Sequence, residues 1–197
     1  MLITIDGYSC QGKSYFGNQI AERLGLDFFP TGVLVRFVAH QYGFSNMREM
    51  DPVLAIQHAL DMLEHTDIHD IIGCSVLRNP QTEKYLKDIA DYPFIMPTLQ
   101  RKLKSFVKGK NVLLDGRYTF DIFPEAHRKY YFRSSVENRM KLVMQAKNMG
   151  YEEAKNYIEY RDSFEDSVVI PDSVTIIDPF SFHNNKLLDF LLEDIQR

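Results

Sequence analysis

Gly7-Tyr8-Ser9-Cys10-Gln11-Gly12-Lys13-Ser14 spells G-x-x-x-x-G-K-[ST], a spacing whose chemistry is phosphate binding. In such a loop successive backbone N–H groups converge on phosphate oxygens, and the helix that follows adds the positive end of its dipole. Gly7 and Gly12 give the backbone paths closed to other residues. Lys13 would reach the β- and γ-phosphates, and Ser14 would offer its hydroxyl to Mg²⁺. The mechanism needs a strand before the loop and a helix after it. The apolar run Leu2-Ile3-Thr4-Ile5-Asp6 supplies the first. Phe16, Ile20 and Leu24, recurring every four residues before Gly25, supply the second. Residues 7–14 are therefore expected to bind a nucleoside triphosphate, ATP with Mg²⁺.

The rest of the chain reads as the frame that such a loop requires. Asp27-Phe28-Phe29 predicts a short strand closed by Pro30, and Thr31 is a candidate N-cap for a helix carrying Val33, Val35, Phe37 and Val38. Val53, Ile56, Leu60 and Leu63 share a helical face, as do Ile95, Leu99, Leu103 and Phe106 before Gly109. Val112-Leu113-Leu114, Tyr130-Tyr131-Phe132 and Val174-Thr175-Ile176-Ile177 predict three further strands. Helices are expected over about 135–148 and 151–165, and at the C-terminal end through Leu187, Leu188, Leu191, Leu192 and Ile195. Short apolar strands separated by helices indicate an α/β fold, a parallel sheet with helices on both faces. Ligands in such sheets sit beyond the carboxyl ends of the strands, which groups the phosphate loop with Thr31-Gly32 and Asp115-Gly116-Arg117. Arg117, directly after a strand-end Asp-Gly, is a functional candidate on that ground alone.

Composition narrows the partners. A net charge of −4 gives no broad electrostatic reason to bind a nucleic acid polymer or an anionic membrane. No apolar stretch approaches the roughly 20 residues that span a bilayer. Met1 leads directly into the first strand, leaving no room for a signal peptide. Cys10 sits inside the loop and Cys74 is the only other cysteine, so a structural disulfide is not expected; a reducing cytoplasm fits best. Nothing in the sequence bears on oligomeric state. His65-x-x-x-His69, with Asp67, Asp70 and Cys74 nearby, has metal-ligand spacing on one helical face, but no second cluster completes a site and a solvated helix end is the better reading. Cys10 would be acidified by a helix N-terminus, yet ordinary loop packing explains it more simply.

Five pieces, in order, resemble the cytidylate kinase family of P-loop nucleoside monophosphate kinases over nearly the whole chain. Ile3-Thr4-Ile5-Asp6-Gly7 opens into the phosphate loop, and Thr31-Gly32-Val33-Leu34-Val35-Arg36 is similar to the family's S/T-G-x-x-Y-R. Tyr92-Pro93 resembles its F-P before a helix, and Leu114-Asp115-Gly116-Arg117 with Phe123-Pro124-Glu125-Ala126 resembles D-G-R-D … F-P-D-A. Arg161-Asp162, Pro171 and Val174-Thr175-Ile176-Ile177-Asp178 resemble its R-D lid start, lid proline and last strand. The resemblance implies one P-loop kinase domain over 1–197, with a reduced acceptor-binding helical part over about 37–110 and a small lid over about 148–172. It gives Arg36 and Arg117 the acceptor's phosphate, Arg161 a place near the acceptor's sugar, and Asp115 a place near Mg²⁺ or the transferring phosphoryl group. Lys13, Asp115 and Arg117 become the candidate catalytic residues. Thr31, Arg36, Lys104, Arg117, Tyr118 and Arg161 become the candidate substrate set, and the expected partner is a small phosphate-bearing acceptor.

The departures concern base and lid. Tyr118 replaces the second carboxylate of D-G-R-D, Lys104 stands where the family has a base-contacting arginine, Lys87 where it has a small hydroxyl residue, and Val35 replaces the tyrosine of Y-R. In the lid, R-D-x-x-D-x-x-R reads Arg161-Asp162-Ser163-Phe164-Glu165-Asp166-Ser167-Val168. The family's paired arginines fall near Leu142 and Val143, with Arg139, Lys141 and Lys147 as nearby substitutes. The expectation is ATP-dependent phosphoryl transfer to a nucleoside monophosphate such as CMP or dCMP. The alternatives are a modified nucleotide or non-nucleotide acceptor, and an ATP-binding regulatory protein without turnover.

Overall fold

The computed structural model describes residues 1–163, 168–182 and 186–197, with Arg78 described by its backbone alone. It divides into two compact units, a core unit of Met1–Phe29 with Lys110–Arg197 and a helical unit of Pro30–Gly109.

The core unit is organised by β1 (Leu2–Gly7) at the middle of a five-stranded sheet of order β2-β3-β1-β4-β5, with β2 (Asp27–Pro30), β3 (Val112–Asp115), β4 (Arg128–Phe132) and β5 (Thr175–Ile177). β1 runs parallel to β3 and β4, pairing Ile5 with Asp115 and with Tyr130, and β4 runs parallel to β5. Alternation along each strand sends neighbours to opposite faces. Ile3, Ile5, Tyr130 and Phe132 face α1 (Lys13–Leu24) and α10 (Lys186–Gln196), packing with Ile20, Ala21, Leu187, Leu188, Leu191 and Ile195. Tyr131 lies on the other face with Phe120 of α7 (Thr119–Ile122) and Val174. The expected sheet, covered on both faces, is what the chain forms. Gly17 lets α1 approach β2 and β3: a Cβ there would lie 2.6 Å from the Phe28 ring and 3.1 Å from Leu113.

Away from the sheet, α8 (Val136–Lys147) and α9 (Tyr151–Asp162) form a hairpin whose core is Met140, Val143, Ala154 and Ile158. Ser135 caps α8 by accepting from the Asn138 N–H, and Asn148 ends it in a left-handed turn at φ 52°. α9 ends at Asp162; of the predicted lid residues, Phe164 to Ser167 lie outside the described residues.

The helical unit holds α2 (Gly32–Gly43), α3 (Pro52–His65), α4 (Ile68–Gly73), a 3-10 turn, α5 (Pro80–Ala90) and α6 (Ile95–Val107). Three details differ from the sequence reading. Thr31 occupies the N-cap position of α2 with a helical backbone and makes no capping bond. Val53 is 41% exposed because the buried face of α3 runs through Ala55, Ile56, Ala59, Leu60 and Leu63. α3 stops at His65, so His65 and His69 do not share a helix; His65 pairs with Asp61 and His69 packs on the Phe106 ring. Among the described residues no group of three His, Cys, Asp or Glu side chains could hold a metal, and no helix is long and apolar enough to cross a membrane.

Candidate active site

The phosphate loop lies between β1 and α1, and its backbone has the shape the sequence requires. Gly7 and Gly12 adopt φ 135° and 79°. A Cβ on Gly7 would lie 2.3 Å from the Phe132 carbonyl oxygen of β4, so close approach as well as the dihedral demands glycine. α1 has no side-chain cap and no acidic residue in its first turn. Its opening N–H groups therefore carry the positive dipole end toward the loop without an internal counter-charge. These features fit a bound phosphate chain.

Lys13 and Ser14 are anchored on the loop and on β3. Lys13 Nζ donates to the carbonyl oxygens of Gly7 and Tyr8 at 2.8 and 2.7 Å and lies 4.0 Å from the Asp115 carboxylate. Ser14 Oγ donates to Asp115 Oδ2. Asp115 is 8% exposed and reaches this point because β3 ends directly beside β1. The hydroxyl and carboxylate expected to serve Mg²⁺ are thus in contact, and they are oxygen donors of the hard kind that ion takes.

Ser9 gathers three arginines from three different segments. Its hydroxyl accepts from Arg117 Nη2 at 3.1 Å and from Arg161 Nε at 3.3 Å, and its carbonyl accepts a longer bond from Arg139 Nη1 at 3.4 Å. Arg139, on α8, is 2% exposed; it grips Asp162 of α9 through two bonds of 2.8 and 2.6 Å, and its guanidinium lies 5.4 Å from the Tyr8 ring centroid. Such a fork-to-carboxylate pair is the strong form of ion pair. Although Arg161 and Asp162 are adjacent in sequence they do not pair with each other: Asp162 turns to Arg139, and Arg161, expected near the acceptor's sugar, turns to the loop. Arg139 is likewise committed to Asp162. Lys147 lies over the Tyr157 ring.

The apolar residues at the family's arginine positions have structural work. Val143 is 3% exposed in the α8–α9 core, and Val168 packs on Phe120, Tyr131 and Val174. Cys10 adopts φ 62°, unusual for a side chain bearing a Cβ, and it packs against the same α8–α9 core. Burial pushes the Cys10 thiol up despite the opposing pull of Arg161, Lys13 and Arg139. This burial against the α8–α9 core agrees with the sequence reading of Cys10 as loop packing. Gln11 is 1% exposed, and neither amide atom has a partner among the described residues.

One site residue was not read from the sequence. Asp6, the last residue of β1 before Gly7, is fully buried and accepts from the Thr119 and Phe120 N–H groups at 2.8 and 3.0 Å and from the Thr119 hydroxyl at 2.8 Å. It caps α7 and so anchors the segment carrying Arg117 and Tyr118. Burial pushes its carboxyl up to about 6 against the lowering effect of those bonds. Its signal was a lone acid ending an apolar strand.

The remaining candidates belong to the helical unit. Arg36 Nε donates to Glu83 Oε1 at 2.8 Å and its Nη1 to the Gly32 carbonyl at 3.1 Å. Thr31 is half-buried at the start of α2, while Lys104 and Lys87 are exposed on α6 and α5. Gly43 closes α2 against Tyr85 of α5, where a Cβ would lie 2.0 Å from the ring, and Arg48 stacks on the same ring at 5.0 Å.

Comparison with known proteins agrees with this geometry. A cytidylate kinase of Caldanaerobacter subterraneus subsp. tengcongensis is 24% identical over 216 aligned positions, covering 99% of this chain and 94% of that protein. One from Mesomycoplasma hyopneumoniae (strain 232) is 30% identical, covering 81% and 76%. A shikimate kinase structure from Bacteroides thetaiotaomicron superposes with a TM-score of 0.51 at 9% identity, covering 100% and 96%. An uncharacterized protein from Eubacterium ventriosum ATCC 27560 gives 0.55 at 14% identity, covering 100% and 98%. These two share the fold. The family model for cytidylate kinase matches residues 3–179, from β1 through the phosphate loop, the Asp115-Gly116-Arg117 turn and the last strand, and the chain belongs to that family.

Proposed function

We propose that this protein moves the γ-phosphoryl group of Mg·ATP onto a nucleoside monophosphate, with CMP or dCMP as the first acceptors. The observation that carries the reading is the set of charges around one loop: Lys13 on the Gly7 and Tyr8 carbonyls, Ser14 on Asp115, and Arg117 and Arg161 on Ser9. Phosphoryl transfer needs little covalent help from a protein; it needs fixed cations around the transferred oxygens and exclusion of water. Bound Mg·ATP supplies the phosphoryl group and a metal that neutralises its oxygens. Lys13 and the opening N–H groups of α1 hold the donor phosphates. Ser14 and Asp115 would provide oxygen ligands for the metal. Arg117 and Arg161 bring guanidinium groups whose planar forks suit phosphate oxygens. No side chain need form a covalent intermediate.

The reading is tested by coupled ADP release with a panel of nucleoside monophosphates. CMP or dCMP should raise ADP release well above the acceptor-free rate. If no monophosphate does, while calorimetry shows ATP binding, the protein is an ATP-responsive regulator instead.

A second reading, an acceptor other than a cytosine nucleotide, is favoured by Tyr118 beside Arg117 where the family carries an acid. A site that hydrogen-bonds one base rejects others by leaving polar groups unpaired, and Tyr118 removes one such group. Tyr118→Asp should therefore improve kcat/KM for CMP over UMP and AMP by about tenfold, the worth of one charged hydrogen bond. An unaltered preference would show that residue 118 does not read the base.

A further inference from the structure

Residues 161 and 162 are neighbours in the last turn of α9, yet they serve different partners. Successive helical residues point about 100° apart, so Asp162 faces Arg139 of α8 while Arg161 faces Ser9 of the phosphate loop. Arg139 in turn reaches the Ser9 carbonyl, which closes a ring: Ser9 hydroxyl, Arg161, Asp162, Arg139, Ser9 carbonyl. A long side chain on a helix end ordinarily samples several rotamers. Here the backbone beneath it is fixed on one side by a bidentate ion pair to the buried Arg139, and its Nε–H is fixed on the other by a loop hydroxyl.

We infer that Arg139 and Asp162 are positioning residues that hold Arg161 over the phosphate loop, with the Ser9 hydroxyl as the shared acceptor that keeps Arg161 and Arg117 together. The inference rests on the kinase reading for its catalytic consequence alone. A hydroxyl accepting from two guanidinium groups is a weaker acceptor than a phosphoryl oxygen. Ser9 therefore holds the two arginines in register and yields them when phosphoryl oxygens arrive. Neither Arg139 nor Asp162 touches substrate in this scheme. Their effect passes through Arg161.

The test uses the full chain labelled with ¹⁵N-arginine, the Arg161 Nε–H signal being identified by its loss in Arg161→Lys. Asp162→Asn keeps the shape of the side chain and removes its charge. It should speed solvent exchange of the Arg161 Nε–H and lower kcat, each by about tenfold or more, while KM for ATP stays within about threefold, because a charged hydrogen bond is lost from positioning and none from the donor loop. Ser9→Ala should speed the same exchange with the Arg139–Asp162 pair intact, and Ser9→Thr, which keeps a hydroxyl, should restore it. Exchange and kcat within twofold of the parent in Asp162→Asn would overturn the inference, as would a rise in KM for ATP at constant kcat. Should Asp162→Asn fail to fold, the Ser9 pair decides: exchange and kcat alike in Ser9→Ala and Ser9→Thr would overturn it. A parent chain that turns over no monophosphate, yet shows the exchange pattern, would refute the kinase reading and leave the positioning role standing.

Discussion

Raising the pH from about 4 to about 7 should remove about 2.4 kcal/mol of folding stability through Asp6 alone. The carboxyl moves from an ordinary value of 3.8 to about 6 on folding because burial disfavours its charged form more than the Thr119 and Phe120 bonds favour it. A rise of that size corresponds to about 3 kcal/mol between the two protonation states. Between the two values the folded chain holds a proton that the unfolded chain has released. Stability from this group is therefore complete below about 3.8 and is lost as the pH passes about 6. The assay is urea unfolding of the parent and Asp6→Asn across this window, with the difference between the two read at each pH. Other carboxylates and the histidines are common to both proteins and cancel. The amide lowers stability at every pH, since it leaves one backbone N–H without its acceptor, but it does not titrate. The parent's advantage over Asp6→Asn should shrink by about 2.4 kcal/mol from pH 4 to pH 7. A difference that is flat, or that grows with pH, would refute the argument.

Lys13→Ala should lower phosphoryl transfer by about a hundredfold or more while the chain still folds, since the Lys13 bonds go to loop carbonyls and Asp115 and not to the apolar core; unchanged turnover in a folded variant would remove the loop from the donor site. Gly7→Ala should cost about 3 kcal/mol or more in urea unfolding, from a contact of 2.3 Å with the Phe132 carbonyl at a backbone angle closed to alanine; a loss below about 1 kcal/mol would contradict that geometry. Gly43→Ala should destabilise by about 1–3 kcal/mol through the Tyr85 ring, and Tyr85→Leu in the same background should recover part of the loss; equal losses with either residue at 85 would exclude the ring as the cause.

The sheet and its loop were legible because their signals are local. Short, mainly apolar runs, two of them leading into Asp-Gly, a glycine pair at fixed spacing and a lysine after the second glycine each depend on neighbours in sequence. Asn79-Pro80-Gln81-Thr82-Glu83 also carried a local signal, a cap followed by proline, and it opens α5 with Asn79 accepting from the Thr82 N–H at 2.7 Å. The polar outer face of α5 leaves that cap without a long apolar period behind it. The Ser9 cluster was not legible in this way. Arg117, Arg139 and Arg161 are spread over three elements, and no period in the sequence says that they end on one serine. Asp162 is adjacent to Arg161 but binds Arg139, 23 residues earlier, and nothing in the local sequence marks that partner. The apolar residues at 143 and 168 read as losses of charge, whereas in the fold they are gains of packing.

The order of the sheet has a consequence for how the chain is made. Of the five strands of this sheet β1 is the first to be synthesised, yet its two neighbours are residues 112–115 and 128–132. For more than a hundred residues of synthesis the Leu2–Ile5 run has no strand to pair with. The helical unit, by contrast, is one uninterrupted stretch, Pro30–Gly109, and even its most distant packing, α2 on α5 through Gly43 and Tyr85, is complete in sequence before β3 begins. Local contacts form fast and distant strand pairing forms slowly. The helical unit can therefore be complete while the nucleotide loop is still tethered to an unpaired strand, and the phosphate site is assembled only once β4 has emerged to place the Phe132 carbonyl against Gly7.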